Sequence, residues 1–423
     1  MNILIVGSGG REHAMAWKAA RSPRLTKLYI AAGNPGTAAL GENIDLDVSD
    51  HAALLQFCKS KKIELVLVGP EAPLAAGLAD ALSAGGIRCF GPSQAAAQIE
   101  ASKVFAKQFM RRHGIPTAAY ASFTDFDEAV AHLHGADHSV VIKASGLAAG
   151  KGVLLPESLA EAESALRHVM VARDFGAAGD AVVIEERMQG PEVTLLAFSD
   201  GTTVRPMLPS QDHKRALDGD RGLNTGGMGA YAPVPACPPH VVDELLRLGL
   251  QACVDGLRTE GTPFVGVLYG GFMLTEAGPR VVEFNCRFGD PEAQAVLPML
   301  ESDLIQIALA CTDGHLAEVD LRWKPGAAAS VVLASGGYPE KYETGIPIQG
   351  LEGANEDAIV FHASTRFANG EVVTAGGRVL CVTGIGASLQ DALDSAYARI
   401  ESISFEGMQY RRDIGRRSQA VKP

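Results

Sequence analysis

The chain has 423 residues, with 37 basic against 49 acidic side chains and a net charge of −12. That length holds roughly two to four domains with real apolar cores. The acidic balance argues against a general binder of nucleic acid or anionic membranes, so any anionic substrate must be held by local cations. The seven cysteines are scattered and form no CxxC pair. They read as reduced cytosolic thiols, not as a disulfide scaffold or a zinc site. Met1 runs directly into a strand, so no leader is expected. No apolar run reaches the length of a membrane span.

Asn2 to Val6 is a short apolar strand, followed by Gly7-Ser8-Gly9-Gly10-Arg11-Glu12-His13 and a helical pattern through Ala20. Strand, glycine turn and helix make a phosphate-cradling arrangement. A dinucleotide fingerprint needs a third glycine where Glu12 stands, and the next strand, Lys27 to Ala32, ends without an acid for a ribose. A phosphate or sugar-phosphate site is the better reading, with Arg11 as a charge-assisted contact. A tight turn needing glycine for its backbone is the alternative. Strand Leu65 to Val68 leads into Gly69-Pro70-Glu71-Ala72-Pro73-Leu74, and strand Ile87 to Phe90 leads into a helix capped by Ser93. Repeated strand–loop–helix units predict a doubly wound parallel sheet whose carboxyl ends gather Gly9, Gly10 and Glu71. Helix Ser102 to His113 stops at Gly114 and Pro116, and a domain boundary falls near residue 103. On sequence alone Lys103 reads as a surface lysine.

Strand Ser139 to Lys143 is joined to strand Val153 to Leu155 by a glycine-rich turn with Lys143 and Lys151 at its ends. It is not a Walker A loop, because three residues separate its glycines and Gly152 follows the lysine. It suits a lid folding over a polyphosphate. Strand Ala181 to Arg187 ends in Glu185-Glu186-Arg187-Met188, and another strand follows Gly190-Pro191-Glu192. The stretch Ser210 to Pro235 reads as a long polar loop with a charge cluster, Asp212, His213, Lys214 and Arg215. Asn224 to Gly229 could line a small-molecule pocket with backbone N–H groups. His213 is a conceivable general base, but no partner for it is identifiable.

Strand Phe264 to Thr275 pairs with Arg280 to Asn285, and one helix is expected from Pro291 to Cys311. In Val281–Gln294, alternation puts Glu283 and Asn285 together, away from Val282 and Phe284. A carboxylate beside an amide oxygen suits a hard cation such as Mg2+ that shares its shell with phosphates. A solvated strand edge is the plain alternative. Arg287, Gly289, Asp290 and Glu292 follow at once. Cys286 lacks an adjacent base and reads as a structural thiol. From Ala327 onward, short β segments and an amphipathic helix, Leu389 to Ile400, read as a capping α+β domain, in which Gly336-Gly337-Tyr338-Pro339 and Gly376-Gly377-Arg378 could border the site.

Taken together, Gly9-Gly10-Arg11-Glu12-His13, Gly69 to Leu74, Gly146 to Val153, Ser210 to Arg215, Asn224 to Tyr231 and Glu283 to Glu292 resemble the phosphoribosylamine–glycine ligases of the ATP-grasp superfamily. The resemblance covers essentially the whole chain. It implies a multidomain α/β and α+β protein. Residues 1–103 would form an N-terminal α/β substrate-binding domain, 104–121 with 191–326 the large ATP-grasp lobe, 122–190 its lid, and 327–423 the C-terminal cap. Lys103, Lys143, Gly150, Lys151 and Gly152 would meet the phosphates of ATP, Glu185, Glu186 and Met188 its adenine, and Glu192 its ribose. Glu283 and Asn285 would hold Mg2+ or Mn2+. Gly9, Gly10, Arg11, Glu71, Asp212, His213, Lys214, Arg215, Asn224, Gly226, Gly227, Arg287, Gly289 and Asp290 would surround phosphoribosylamine and glycine, with Arg287, Asp212 and Lys214 serving the chemistry. The partners implied are small molecules, with a monomer or at most a weak homodimer in the cytoplasm. Ser145 and Arg187 depart from the family pattern, which has aspartate and an aromatic there. The rivals are another ATP-grasp ligase and a non-catalytic nucleotide sensor.

Overall fold

The computed structural model describes residues 1–148, 152–353 and 357–416. It opens with β1 (Asn2–Gly7), β2 (Lys27–Ala32), β3 (Glu42–Ile44), β4 (Leu65–Val68) and β5 (Arg88–Phe90), all parallel in the order β3-β2-β1-β4-β5. Leu4 and Val6 enter one core and Ile3 and Ile5 another. Covering on both faces is why these strands are apolar without alternation. Strand order reverses between β1 and β4, so the loops after them open on a crevice. Ser93 caps the helix Gln94–Ala101 and Ser102 the helix Lys103–Arg112. Gly114, at φ +64°, ends the latter.

The next unit is an antiparallel sheet of β6 (Tyr120–Phe123), β7 (Val140–Ala144), β8 (Val153–Leu154) and β9 (Val182–Glu186), ordered β6-β9-β7-β8. It has a core of its own, built on Ile142, Leu166, Val169 and Ile184. A lid needs that independence if it is to move as a body.

The large lobe begins with β10 (Glu192–Asp200) and β11 (Val204–Pro206). The expected polar loop 210–235 instead forms β12 (Gln211–Asp212), β13 (Arg215–Leu217), β14 (Arg221–Asn224) and β15 (Gly229–Ala232). Strands this short carry no readable alternation. β16 (Val265–Thr275) and β17 (Gly278–Asn285) complete a sheet ordered β11-β10-β16-β17. Glu283 pairs with Gly271 and Val281 with Phe272, so Val282 is a bulge. The bulge corrects the simple alternation. Val281 and Phe284 both enter the core, while Val282 and Glu283 both reach the cleft.

The predicted helix 291–311 is broken. It runs Glu292–Val296, tightens at Leu297–Met299, and restarts as Leu304–Asp313 under an Asp303 cap. Pro298 interrupts the first run by lacking an N–H. The last region supplies β18 (Ala327–Ala334), β19 (Ala358–His362), β20 (Thr365–Ala368), β21 (Glu371–Thr374) and β22 (Arg378–Gly386). Its main sheet is ordered β12-β15-β18-β22-β19. Two strands from the 210–232 stretch thus share a sheet with the C-terminal region, which is joined to that stretch and does not merely cover it.

Candidate active site

One cleft of about 980 Å³ is lined by all these units. On the lid side, Lys143 Nζ donates to the Glu185 carboxylate at 3.0 Å and to the bulged Val282 carbonyl at 3.2 Å. Lys107 also reaches the Glu185 carboxylate at 3.0 Å. The Glu185 carboxylate therefore faces two lysines. Glu186 instead takes Arg280 at 2.7 Å and the Ala119 N–H at 3.1 Å. Lys103 is not a surface lysine: it lines the cleft, donates to the Gly146 carbonyl at 3.1 Å, and burial lowers its pKa against the pull of Glu283. The surface reading failed because the helix start faces the lid. Met188, Glu192 and Gly152 also line the cleft. A Cβ on Gly152 would lie 2.7 Å from the Ala148 Cβ, so the turn closes tightly there. Gly150 and Lys151 lie outside the described residues.

At the centre stand Glu283 and Asn285. Burial would raise the Glu283 carboxyl, but Lys214, Lys143, Lys103 and Arg287 outweigh it and hold it below the usual range. It is an ionised carboxylate at neutral pH. Among the described residues no group of three or more His, Cys, Asp or Glu is arranged to hold a metal. A carboxylate and an amide oxygen fit a hard cation that takes the rest of its shell from water and phosphate oxygens. Arg287 Nη2 meets Glu100 at 2.7 Å and Asn285 Oδ1 at 3.4 Å. Its Nε lies 3.4 Å from Glu71, too poorly aligned for a hydrogen bond. Burial opposes the Arg287 charge, and Glu100 and Glu71 more than restore it.

On the substrate side, Lys214 pairs with Glu192 at 2.6 Å. Burial, with help from Glu292, Glu192 and Glu283 and against Lys214, pushes the Asp212 carboxyl up to about 7. His213 Nε2 accepts from the Gly415 N–H at 3.2 Å, which occupies the lone pair a base would use. Arg215 and Asn224 line the cleft. The expected donors Gly226 and Gly227 spend their N–H groups on Tyr338 Oη at 3.1 Å and Thr225 Oγ1 at 3.0 Å. Arg378 then grips both glycine carbonyls and pairs with Asp290 at 3.2 Å.

The N-terminal turn also differs from expectation. Arg11 and Glu71 line the cleft, but Gly9, Gly10, Gly227 and Gly289 stand behind its wall. The Gly9 N–H that a phosphate would use goes to Glu12 at 2.6 Å, and Arg11 pairs with the same carboxylate at 2.6 Å. A Cβ on Gly69 would lie 2.0 Å from Glu12 Oε1, so glycine here makes room for that side chain. Glu12 fills the cradle that a third glycine would leave open.

Residues 1–100, 101–293 and 328–417 match the N, ATP-grasp (A) and C domains of phosphoribosylglycinamide synthetase. A phosphoribosylamine–glycine ligase of Allochromatium vinosum is 50% identical over 424 residues, with 99% of each chain covered. The chain belongs to the phosphoribosylglycinamide synthetase family. A trifunctional purine biosynthetic protein, adenosine-3, of Homo sapiens is 51% identical over 99% of this chain, which spans 42% of that protein's length. The solved phosphoribosylamine–glycine ligase of Thermotoga maritima superposes with a TM-score of 0.85 at 32% identity, covering 98% of this chain and 100% of that one. The biotin carboxylase domain of a Hydrogenobacter thermophilus 2-oxoglutarate carboxylase, solved with MgADP and bicarbonate, shares the fold. Its TM-score is 0.75 at 15% identity, over 97% of this chain and 91% of that one.

Within this family member, sequence reasoning missed Glu100 and Lys107, whereas Arg378, expected at the border of the site, does line the cleft. Lys107 had a signal, since it lies one helical turn after Lys103 and shares its face. Glu100 had none, because its role comes from its tertiary partners Cys286 and Arg287. Of the two departures, Ser145 accepts from the Val104 N–H at 3.2 Å and Arg187 pairs with Glu157 at 2.9 Å. Each substituted side chain has found a local partner.

Proposed function

We propose that the chain is an ATP-dependent carbon–nitrogen ligase. It joins glycine to 5-phosphoribosylamine in purine biosynthesis and releases glycinamide ribonucleotide, ADP and phosphate. The observation that carries this reading is the one cleft lined together by Lys103 and Lys143, the Glu283–Asn285 pair, and Arg11 with Glu71. The γ-phosphoryl group of ATP passes to the glycine carboxylate, giving glycyl phosphate. The amine of phosphoribosylamine then attacks the acyl carbon and phosphate leaves. Neither step needs a protein nucleophile, so the chain's work is positioning and charge stabilisation.

Lys103 and Lys143 face the phosphates, Glu185, Glu186 and Met188 border the base, and Glu192 the ribose. Glu283 and Asn285 would hold Mg2+, or Mn2+ in its place, which neutralises phosphate charge when bound. Arg287, Asp212 and Lys214 surround the reacting groups. The lid excludes water from a hydrolysable acyl phosphate. All of these groups come from one chain, so a monomer suffices. The seven cysteines are free and buried, which agrees with a reducing cytoplasm.

The test is ADP release with glycine, formate or bicarbonate in the presence of phosphoribosylamine. Release that depends on glycine is expected. Release indifferent to glycine would overturn the assignment in favour of another ligase on this fold, and tight ATP binding without turnover would favour a sensor.

A further inference from the structure

The hairpin of β13 and β14 gives Arg215, Asp220 and Asn224 to the cleft wall, yet it belongs to no larger sheet. Leu217 and Leu223 on it are each 52% exposed, so it has little core beneath it. Asp220 also holds a left-handed backbone at φ +52°. A two-stranded hairpin of this kind is marginal in water unless something else holds it.

Residues 411–415 hold it. Arg411 is 1% exposed and among the largest fully buried side chains of the protein. Its Nη1 donates to Asp220 Oδ1 at 2.8 Å and to the Arg215 carbonyl at 3.1 Å, tying the turn to the open end of the hairpin. Its Nε and Nη2 form a two-pronged pair with Asp413 at 2.7 and 2.8 Å. Asp413 accepts from the Gly219 N–H at 2.8 Å, and the Arg412 N–H donates to Asp218 at 2.8 Å. Gly415 reaches His213 just before the hairpin. A planar fork with its own carboxylate is pre-organised for such a grip, and a lysine could satisfy fewer of these acceptors.

We propose that Arg411 is a positioning residue, which fixes the β13–β14 hairpin as the wall of the cleft that the non-nucleotide substrates meet. Lys143, Glu185 and Glu283 share none of its contacts, and Glu192 meets this segment only through Lys214, which precedes the hairpin, so ATP binding should depend on Arg411 far less than binding of the other substrates. Which substrate loses affinity rests on the ligase reading; the order of the hairpin does not.

The test uses the full-length protein with Arg411→Met, Arg411→Lys and Asp220→Asn, read by amide hydrogen exchange over residues 214–224 and by steady-state kinetics. Arg411→Met should speed exchange in the hairpin about tenfold or more. It should raise KM for glycine or phosphoribosylamine about tenfold while KM for ATP stays within about twofold. Arg411→Lys should recover part of both effects. Asp220→Asn keeps the Arg411–Asp413 pair, so it gives the same direction of change if Arg411→Met fails to fold. Unchanged hairpin exchange, or KM values for ATP and the other substrates rising in step, overturns the proposal. If the hairpin loosens as expected but even the unaltered protein shows no glycine-dependent turnover, the ligase reading fails and the clamp stands.

Discussion

The pairing of Arg287 with Glu100 predicts an asymmetry between two substitutions. The Glu100 side chain is 7% exposed and takes the Cys286 N–H at 2.6 Å and Arg287 Nη2 at 2.7 Å. Burial pushes its carboxyl above the usual range even though Arg287 pulls it down. A folded pKa above the unfolded one means that this group stabilises most below its unfolded pKa and less as pH rises. At neutral pH its charge is therefore a burden that the ion pair only partly offsets. Glu100→Gln removes burden and attraction together. The amide oxygen can still serve Cys286, and the net loss should be about 1 kcal/mol. Arg287→Met leaves Glu100 buried without its cation, which costs about 3–5 kcal/mol, while Glu71 keeps Arg11 nearby. The difference, about 2 kcal/mol or more, is readable by urea unfolding at neutral pH. It should narrow at pH 5, where the orphaned carboxylate takes up a proton. Equal losses at neutral pH, or a larger loss for Glu100→Gln, would refute the reasoning that desolvation dominates at this pair.

Glu283→Ala should cut turnover at least about a hundredfold while the thermal transition stays cooperative, measured by ADP release and circular dichroism. Near-normal Mg2+-dependent activity would rule out its ligand role. Burial lowers the Lys107 pKa to about 8 against the pull of Glu185. Stability of the unaltered protein should thus climb between about pH 8 and 10, where the unfolded chain binds a proton that the folded one lacks, and Lys107→Met should flatten that climb. His13 Nδ1 accepts from the His362 N–H at 2.8 Å across the N- and C-terminal units, and burial lowers His13 to about 3 and His362 to about 4. Stability should therefore fall as pH drops from about 6.5 toward 4, and His13→Asn, which keeps an acceptor for His362, should make that fall shallower by about one proton in urea titrations.

The parts legible in the sequence are those set by local physics. β2, β4 and the helix Leu389–Ile400 begin and end where their patterns say, and Ser93 caps its helix as its side chain requires. The strands in 211–232 were hidden because β15 finds its partner, β18, about a hundred residues further on. The bulge at Val282 exists only relative to β16 and has no mark in β17 itself. The break at Pro298 was visible, and the apolar run on either side masked it. At the site, Lys143, Glu283 and Asn285 stood out as polar groups on apolar strands. Glu12 was noticed as a missing glycine, but that its carboxylate would occupy the turn followed only from the packing of Gly9 and Gly69 around it.

The acidity of the chain and the anionic ligands of its fold meet in how the cleft spends its cations. Lys143 is paired with Glu185, Lys214 with Glu192, Arg287 with Glu100, Arg378 with Asp290 and Arg11 with Glu12. Each pair locks a long side chain in place before any ligand arrives, so little rotamer entropy is left to lose on binding. Among the described residues Lys103 lines the cleft without a carboxylate in salt-bridge reach, held instead by a backbone carbonyl. A protein with net charge −12 cannot draw a polyphosphate in by its overall field. It can present one lysine that is not neutralised, beside others already aimed, and leave the balance of charge to the cation that, as proposed, Glu283 and Asn285 would hold. On the proposed reading, that division of labour accounts for Glu283 lining the cleft within reach of the charges of Lys214, Lys143 and Lys103 at once.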